Sequence, residues 1–131
     1  MVLCETIEHA NRIGEMLRKK LRSSAVKQYT MNDMNQENNV EKILPSAVII
    51  ATNLAGKGFD IQTDEIEVSG GLHVILTFMP SNQRVEDQAF GRTARQGKRG
   101  TGLMILSSRD LVGYTNTATK KERDAMEIPR K

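Results

Sequence analysis

The stretch that most constrains the fold is the uninterrupted apolar run Ala47-Val48-Ile49-Ile50-Ala51. Pro45 lies just before the run and the glycine-containing sequence TNLAGKG (52–58) follows it, so loop signals bound it on both sides. Five consecutive apolar residues offer no polar face to solvent, which is typical of a strand that is covered on both faces. The run therefore predicts a strand of a parallel sheet that is flanked by helices.

Strands and helices are predicted to alternate along the rest of the chain. The predicted strands lie at 2–4, 26–31, 47–51, 73–78 and 102–106, and the predicted helices at 7–21 and 82–95, with a weak helix around Val40, Ile43 and Leu44 that Pro45 ends. Residues 62–71 are acidic and irregular, and 97–100 form a turn. This alternation predicts an α/β domain, a three-layer parallel sheet flanked by helices, over residues 1–112. Residues 113–131 are predicted to be a polar, basic tail, either a loose helix or disordered.

The first helix carries the strongest local signals. Its apolar residues recur at steps of three and four: Ile7, Ala10, Ile13, Leu17 and Leu21. Thr6 precedes the helix as a capping residue, Glu8 lies in its first turn, and basic residues fill its last turn. These charges complement the helix dipole at both ends.

Composition excludes several classes of protein. The chain has 131 residues, 38% of them hydrophobic and 27% charged, which indicates one folded domain and not a disordered segment. No apolar run approaches the roughly 20 residues of a membrane helix, and the N-terminus lacks the features of a secretion signal. The single cysteine, Cys4, fits a reducing, cytoplasmic compartment and a buried strand position. The chain has only two histidines, His9 and His73, and no second cysteine, so no zinc site is expected.

The glycine-rich sequence ATNLAGKG (51–58) resembles the start of a phosphate-binding loop, but it fails as a Walker A motif. That motif needs a glycine where this chain has Ala51 and a magnesium-binding hydroxyl where it has Gly58. No aspartate-glutamate pair ends an apolar strand elsewhere. The chain therefore lacks a complete apparatus for hydrolysing a nucleotide, and we expect it to be inactive alone.

A second constellation lies in the sequence QAFGRTARQG (88–97). If the helix continues to residue 95, then Gln88, Arg92 and Arg95 share one face of it. Two guanidiniums on one face suit a polyphosphate, because arginine offers planar, permanently charged donors. A solvated basic helix end, or a nucleic-acid patch continued by Lys98 and Arg99, explains the same residues. Ligands of parallel sheets bind at loops that leave the carboxyl ends of strands, which here are 52–60 and 79–82, the second leading into this helix.

Taken together, these segments resemble a known family. ATNLAGKGFDI (51–61), GGLHVI (70–75) and QAFGRTARQG (88–97) are similar to motifs V, Va and VI of the second RecA-like motor domain of SecA, the preprotein translocase ATPase related to the DEAD-box helicases. VLCETIEHANRIGEML (2–17) resembles the strand and helix that open that domain. The resemblance covers about residues 2–112 and implies a RecA-like fold of the P-loop NTPase class.

The resemblance also implies roles for individual residues. Gly56, Gly58 and Asp60 match the nucleotide-facing part of motif V, where Asp60 accepts hydrogen bonds and does not act as a general base. Thr52 and Asn53 match positions that couple motif V to the domain interface or the substrate track.

For motif VI, the resemblance makes Arg92 and Arg95 the two arginines that reach the nucleotide, with Arg95 as the arginine finger. Gln88 matches the glutamine that links the nucleotide state to the domain interface. The implied cofactor is ATP, with its magnesium ion held by a first RecA-like motor domain of the same full-length protein, and the implied substrate is a polypeptide.

Two departures from the family pattern indicate a divergent member, and we read them as compatible with a eukaryotic source. Residues 76–81 read LTFMPS where a charged, histidine-containing stretch is usual, and Thr93-Ala94 replaces Ser-Gly. One alternative is the C-terminal motor domain of a nucleic-acid helicase of the DEAD-box superfamily, against which the aromatic content of 4% counts. Another is a regulatory remnant that has kept the fold without the ATPase partnership.

Overall fold

The computed structural model describes residues 1–21, 25–29, 41–42, 45–52, 61–62, 64–94 and 97–107. Its strands, in chain order, are β1 (Val2–Cys4), β2 (Val26–Tyr29), β3 (Glu41–Lys42), β4 (Val48–Thr52), β5 (Ile61–Gln62), β6 (Leu72–Leu76) and β7 (Gly100–Met104). Its α-helices are α1 (Ile7–Lys20) and α2 (Gln83–Phe90). The predicted tail at 113–131 lies outside the described residues.

Five strands form one sheet in the order β2-β4-β1-β6-β7, and every pair in it is parallel. The apolar run that predicted a buried strand is β4, which lies between β2 and β1 and has four of its five residues buried. The strand β1, at the middle of the sheet, is buried throughout. A second, two-stranded parallel sheet pairs β3 with β5.

The two faces of the five-stranded sheet carry separate apolar cores. On one face Ala10 of α1 packs with Val2, Cys4 and Ile50. On the other face Ala89 of α2 packs with residues that alternate with those, among them Leu3 and Ala51. Because successive side chains of a strand point to opposite faces, one apolar run serves both cores. The described elements therefore form the predicted α/β three-layer arrangement.

The structure confirms the cap and the charge pattern predicted for α1. Thr6 is its N-cap and accepts a hydrogen bond from the backbone N–H of His9 at 3.1 Å. Glu8 lies in the first turn, and Arg18, Lys19 and Lys20 in the last. Cys4 is a free, fully buried thiol at the end of β1, and burial raises its pKa. Such a thiol is a structural residue and not a nucleophile.

The weak helix predicted before Pro45 is wrong where the structure describes it. Glu41–Lys42 is extended and pairs in parallel with Ile61–Gln62. Pairing with a partner distant in sequence therefore overrides a marginal local preference for helix. The other residues of that prediction, Val40, Ile43 and Leu44, lie outside the described residues.

Candidate functional site

The helix α2 begins where the sequence predicts it. Asn82 is the N-cap, and its side-chain oxygen accepts a hydrogen bond from the Val85 backbone N–H at 2.9 Å. Ala89 and Glu86 face inward, and Gln88 is exposed. A glutamine on this exposed face is accessible to a neighbouring domain.

The helix ends at Phe90, five residues earlier than predicted. Gly91 caps it, with its N–H donating to the carbonyl of Asp87 at 2.7 Å, and Thr93 N–H turns back to the Phe90 carbonyl at 3.2 Å. Ala94 has a φ of 54°, a left-handed conformation that cannot continue an α-helix. The prediction that Arg92 shares a helical face with Gln88 is therefore wrong, because Arg92 lies in the connection that follows the helix.

We call residues 91–99 the arginine loop, of which the structure describes 91–94 and 97–99. Its first part is fixed to the amino end of β6, since the Thr93 hydroxyl donates to the carbonyl of Leu72 at 2.5 Å. It also lies tightly against the first residue of β7. A Cβ atom placed on Gly100 would lie 1.9 Å from the Thr93 hydroxyl oxygen, so only glycine allows this approach.

The last part of the arginine loop is held by the residues that precede β6. We call residues 64–69 the acidic segment; it contains Asp64, Glu65 and Glu67. Lys98 Nζ lies 2.5 Å from Asp64 Oδ1. Both carboxylate oxygens of Glu67 accept from the backbone N–H of Arg99, at 2.9 Å each. The acidic segment therefore contacts the arginine loop through a side-chain ion pair and through the backbone.

Arg92 is half-buried within this loop, and its Nε atom is shielded from solvent. A guanidinium that is partly desolvated interacts more strongly with an anion than one in bulk water, since water screens it less. Its planar fork of donors matches the oxygens of a phosphate or a carboxylate. The arrangement is chemically capable of binding an anionic group of a ligand or of another domain.

Thr52 lies at the opposite edge of the sheet from the arginine loop. It is the last residue of β4, is 3% exposed and stands beside Cys4. Val2 pairs with Ile50 on one side and with Ile75 on the other, so these three residues lie at one level of the sheet. Thr52 lies two residues beyond that level and Leu72 three residues before it. The two are therefore roughly 16 Å apart along the strand direction, at about 3.3 Å per strand residue. Arg92, next to Thr93, lies near the amino ends of β6 and β7, at the other edge of the sheet from Thr52.

The other predicted site residues lie outside the described residues: Asn53, Gly56, Gly58, Asp60 and Arg95. Sequence reasoning did not assign a role to Asp64, Glu67 or Gly71. A usable signal was present, because the acidic stretch at 64–67 has the charge complementary to Lys98-Arg99. That signal says nothing of distance, and only the sheet brings the two segments together.

Comparison with known proteins agrees with this architecture. Residues 1–97 match the model of the helicase conserved C-terminal domain. The chain belongs to this family of helicase C-terminal domains, and its five-stranded parallel sheet with helices is the RecA-like α/β fold.

Within that family the chain is SecA-like. It is 34% identical over 116 residues to the protein translocase subunit SecA of Onion yellows phytoplasma, an alignment that covers 85% of this chain and 14% of the relative. It is 37% identical over 102 residues to SecA of Sulfurimonas denitrificans, covering 74% and 12%. Over 64 residues it is 52% identical to SecA 3 of Magnetococcus marinus, covering 48% and 10%.

The chain thus spans about a seventh or less of the length of the curated relatives it matches. The organisms of these relatives give no support to a eukaryotic source. Among the described residues, no helix has both the length and the apolar character needed to cross a membrane. Within the same ranges, no cluster of His, Cys, Asp and Glu side chains is arranged to hold a metal ion.

Proposed function

We propose that this domain is the second motor domain of a SecA-like ATPase. It supplies motif V residues and arginines to an ATP site that it shares with a first RecA-like motor domain of the same full-length protein. The observation that carries the proposal is the arginine loop, in which half-buried Arg92 directly precedes Thr93, the residue that bonds to the amino end of β6 and lies against that of β7. An arginine fixed in this way is suited to reach a phosphoryl group that another domain holds.

In this proposal each predicted residue has a distinct task. Arg92 and Arg95 donate hydrogen bonds to phosphate oxygens, and Arg95 is the arginine finger. Gly56 and Gly58 allow the backbone to approach the nucleotide, and Asp60 accepts hydrogen bonds from it. ATP supplies the phosphoryl group whose transfer drives the motor, and its magnesium ion is held by the first motor domain.

Two kinds of residue link the site to motion. Gln88, exposed on α2, is available to report the nucleotide state across the domain interface. Thr52 and Asn53, at the carboxyl end of β4, couple motif V to the substrate track. The substrate we propose is a polypeptide, as the name of the relatives, protein translocase subunit, suggests for a homologous motor. We place the motor in the cytoplasm, in keeping with its single, reduced cysteine.

The alternative, a nucleic-acid helicase motor, has less support from the described residues. Lys98 and Arg99 form the basic run that could continue a nucleic-acid patch, and Lys98 is paired with Asp64. The acidic segment lies directly beside that run and reduces its positive potential. Part of the basic run on which nucleic-acid binding would depend is therefore opposed by acidic charge.

The test of the proposed function is nucleotide turnover measured with and without the first motor domain. We expect the isolated chain to bind ATP weakly and to hydrolyse none. Adding the first motor domain of the same full-length protein should restore turnover. Arg95→Ala should then lower kcat by about 10³-fold or more, as loss of an arginine finger does.

The matched control is Arg12→Ala, which removes an exposed arginine from α1 and should leave kcat unchanged. Substantial hydrolysis by the isolated chain would contradict the shared site. Full turnover by the Arg95→Ala protein would contradict the role of the finger.

A further inference from the structure

We propose that Phe90 is a positioning residue for Arg92: its ring rests on the bare backbone of β7 at Gly102 and fixes the turn that contains the arginine. This inference rests on the proposed function, in which Arg92 donates hydrogen bonds to phosphate oxygens of ATP. It adds to that function a residue that acts through Arg92 and not on the nucleotide itself. Phe90, Arg92 and Gly102 all lie within the described residues.

Arg92 lies inside a four-residue turn that a backbone hydrogen bond closes. The Thr93 N–H donates to the Phe90 carbonyl at 3.2 Å, so the turn consists of residues 90–93 and Arg92 is its third residue. Such a turn fixes the direction in which the side chains of its middle residues leave the backbone. The Nε atom of Arg92 is shielded from solvent, so neighbouring residues limit the path of this side chain. The placement of Arg92 therefore depends on how the two ends of the turn are held.

The two ends of the turn rest on β7 at positions that have no side chain. Gly100 and Gly102 are two residues apart in the strand and therefore share one of its faces. A Cβ atom on Gly102 would lie 2.6 Å from Cδ1 and 2.8 Å from Cε1 of Phe90. A Cβ atom on Gly100 would lie 1.9 Å from the Thr93 hydroxyl oxygen. Phe90 and Thr93 thus occupy the space that two side chains of β7 would fill.

The contacts at the two ends differ in kind. At the last residue of the turn, the Thr93 hydroxyl donates to the Leu72 carbonyl. At the first residue, the Phe90 ring packs on Gly102 and against the apolar core on the α2 face. Close packing leaves a rigid ring few alternative positions. A single methyl group added at Gly102 should therefore displace the ring, and with it the first residue of the turn.

The first experiment measures how firmly the turn is held, without any measurement of ATP hydrolysis. Trypsin cleaves after arginine, and cleavage within a folded domain requires local opening of the chain. In the full-length protein that carries this domain, we expect Gly102→Ala and Phe90→Leu each to raise the rate of cleavage after Arg92 by about tenfold. Mass spectrometry of the peptide that ends at Arg92 gives this rate.

Cleavage after Arg12, an exposed residue of α1, is the internal control and should change by less than about twofold. The matched control variant is Leu103→Ala, which alters the opposite face of β7 and should leave cleavage after Arg92 unchanged. An equal rise at Arg12 and Arg92 would overturn the proposal, because it would indicate general destabilisation. An unchanged rate after Arg92 in both Gly102→Ala and Phe90→Leu would also overturn it.

The second experiment tests whether the turn acts through Arg92, by steady-state ATP hydrolysis of the same full-length protein. We expect Gly102→Ala to lower kcat/KM by about tenfold, because a displacement of about 1 Å from the productive geometry lowers a rate by as much as 10²-fold. In an Arg92→Ala background the same substitution should change kcat/KM by less than about twofold, since the group whose placement it alters is gone. Phe90→Leu should behave in the same way in both backgrounds.

The outcomes distinguish the positioning role from the proposed function. An equal loss with and without Arg92 would overturn the positioning role, as would wild-type kcat/KM for Gly102→Ala and Phe90→Leu. If Arg92→Ala itself keeps full activity, the proposed function of Arg92 fails, and the trypsin experiment still decides whether Phe90 holds the turn. Melting temperatures verify that the variants are folded. If Gly102→Ala does not fold, Phe90→Leu carries both measurements.

Discussion

At the scale of single residues, the two departures inside motif VI have different consequences. Thr93 keeps the hydroxyl that the usual serine would offer, and it donates to the Leu72 carbonyl. Ala94 replaces the usual glycine at a residue whose φ is 54°. A side chain in the left-handed region is disfavoured by contact between its Cβ atom and the backbone. Thr93 therefore uses its hydroxyl to hold the loop, whereas Ala94 is strained.

We predict that Ala94→Gly stabilises the domain. Relief of the left-handed strain is worth about 1–2 kcal/mol, and the greater freedom of glycine in the unfolded chain offsets about 0.4–1 kcal/mol of it. The net expectation is an increase of about 0.5–1 kcal/mol in the free energy of unfolding, measured by urea denaturation.

The matched control for that substitution is Ala10→Gly, in the middle of α1. There the backbone is helical, so glycine should lower the free energy of unfolding by about 1 kcal/mol, and by more if the lost methyl leaves a void. Destabilisation by both substitutions would show that Ala94 is not strained.

At the scale of elements, the arginine loop depends on close backbone approach to β6 and β7. Gly70 and Gly71 both have positive φ, at 106° and 85°, but their surroundings differ. A Cβ atom on Gly70 would meet nothing within 4 Å. A Cβ atom on Gly71 would lie 1.8 Å from the Arg99 carbonyl oxygen. Comparing alanine substitutions at these two glycines therefore separates the cost of a strained backbone from the cost of a steric clash with the loop.

We predict that Gly71→Ala lowers the free energy of unfolding by about 3 kcal/mol or more, and Gly70→Ala by only about 1–3 kcal/mol. The difference reflects the displacement of the Arg99 backbone that only the first substitution requires. Urea denaturation of the two variants side by side measures it. Equal losses, or a greater loss for Gly70→Ala, would contradict the close packing of the loop on β6.

Of the two α-helices that the structure describes, only α1 could be predicted in full from the sequence. The signals of α1 are local, since its cap and its apolar repeat lie within its own sequence, and both ends are predicted to within one residue. The helix α2 has an equally local start, the Asn82 cap. Its end depends on Thr93 bonding to Leu72, which lies 21 residues away in sequence. A helical repeat read from sequence cannot reveal that competing contact.

At the scale of the whole molecule, the distribution of charge matters more than the net charge of +3. The basic run after Arg92 faces an acidic segment, with Lys98 paired to Asp64. An exposed pair of this kind contributes at most about 1 kcal/mol to stability, but it removes a cation from the surface available to an anionic partner.

We therefore expect negligible affinity for single-stranded RNA or DNA at about 50 mM salt, measured by fluorescence anisotropy over a range of salt concentrations. Asp64→Asn removes the negative charge that faces Lys98 and serves as the comparison, expected to raise any weak binding. Tight binding by the unmodified chain, falling steeply as salt rises, would instead support the nucleic-acid helicase alternative.

The sequence by itself determined the fold class, because an apolar β4 and alternating helical and strand patterns allow little other than a covered parallel sheet. It also determined α1, the start of α2 and, through motif resemblance, membership among SecA-like helicase C-terminal domains. Those features are encoded in contiguous residues.

Only the tertiary structure decided where the helix α2 stops and at which edge of the sheet Arg92 lies. It also decided that Glu67 and Gly71 hold the loop that carries the arginines. The physical reason is that these features depend on contacts between segments about 20 to 35 residues apart. The strand pairing of β6 with β7 creates those contacts, and no local pattern specifies them.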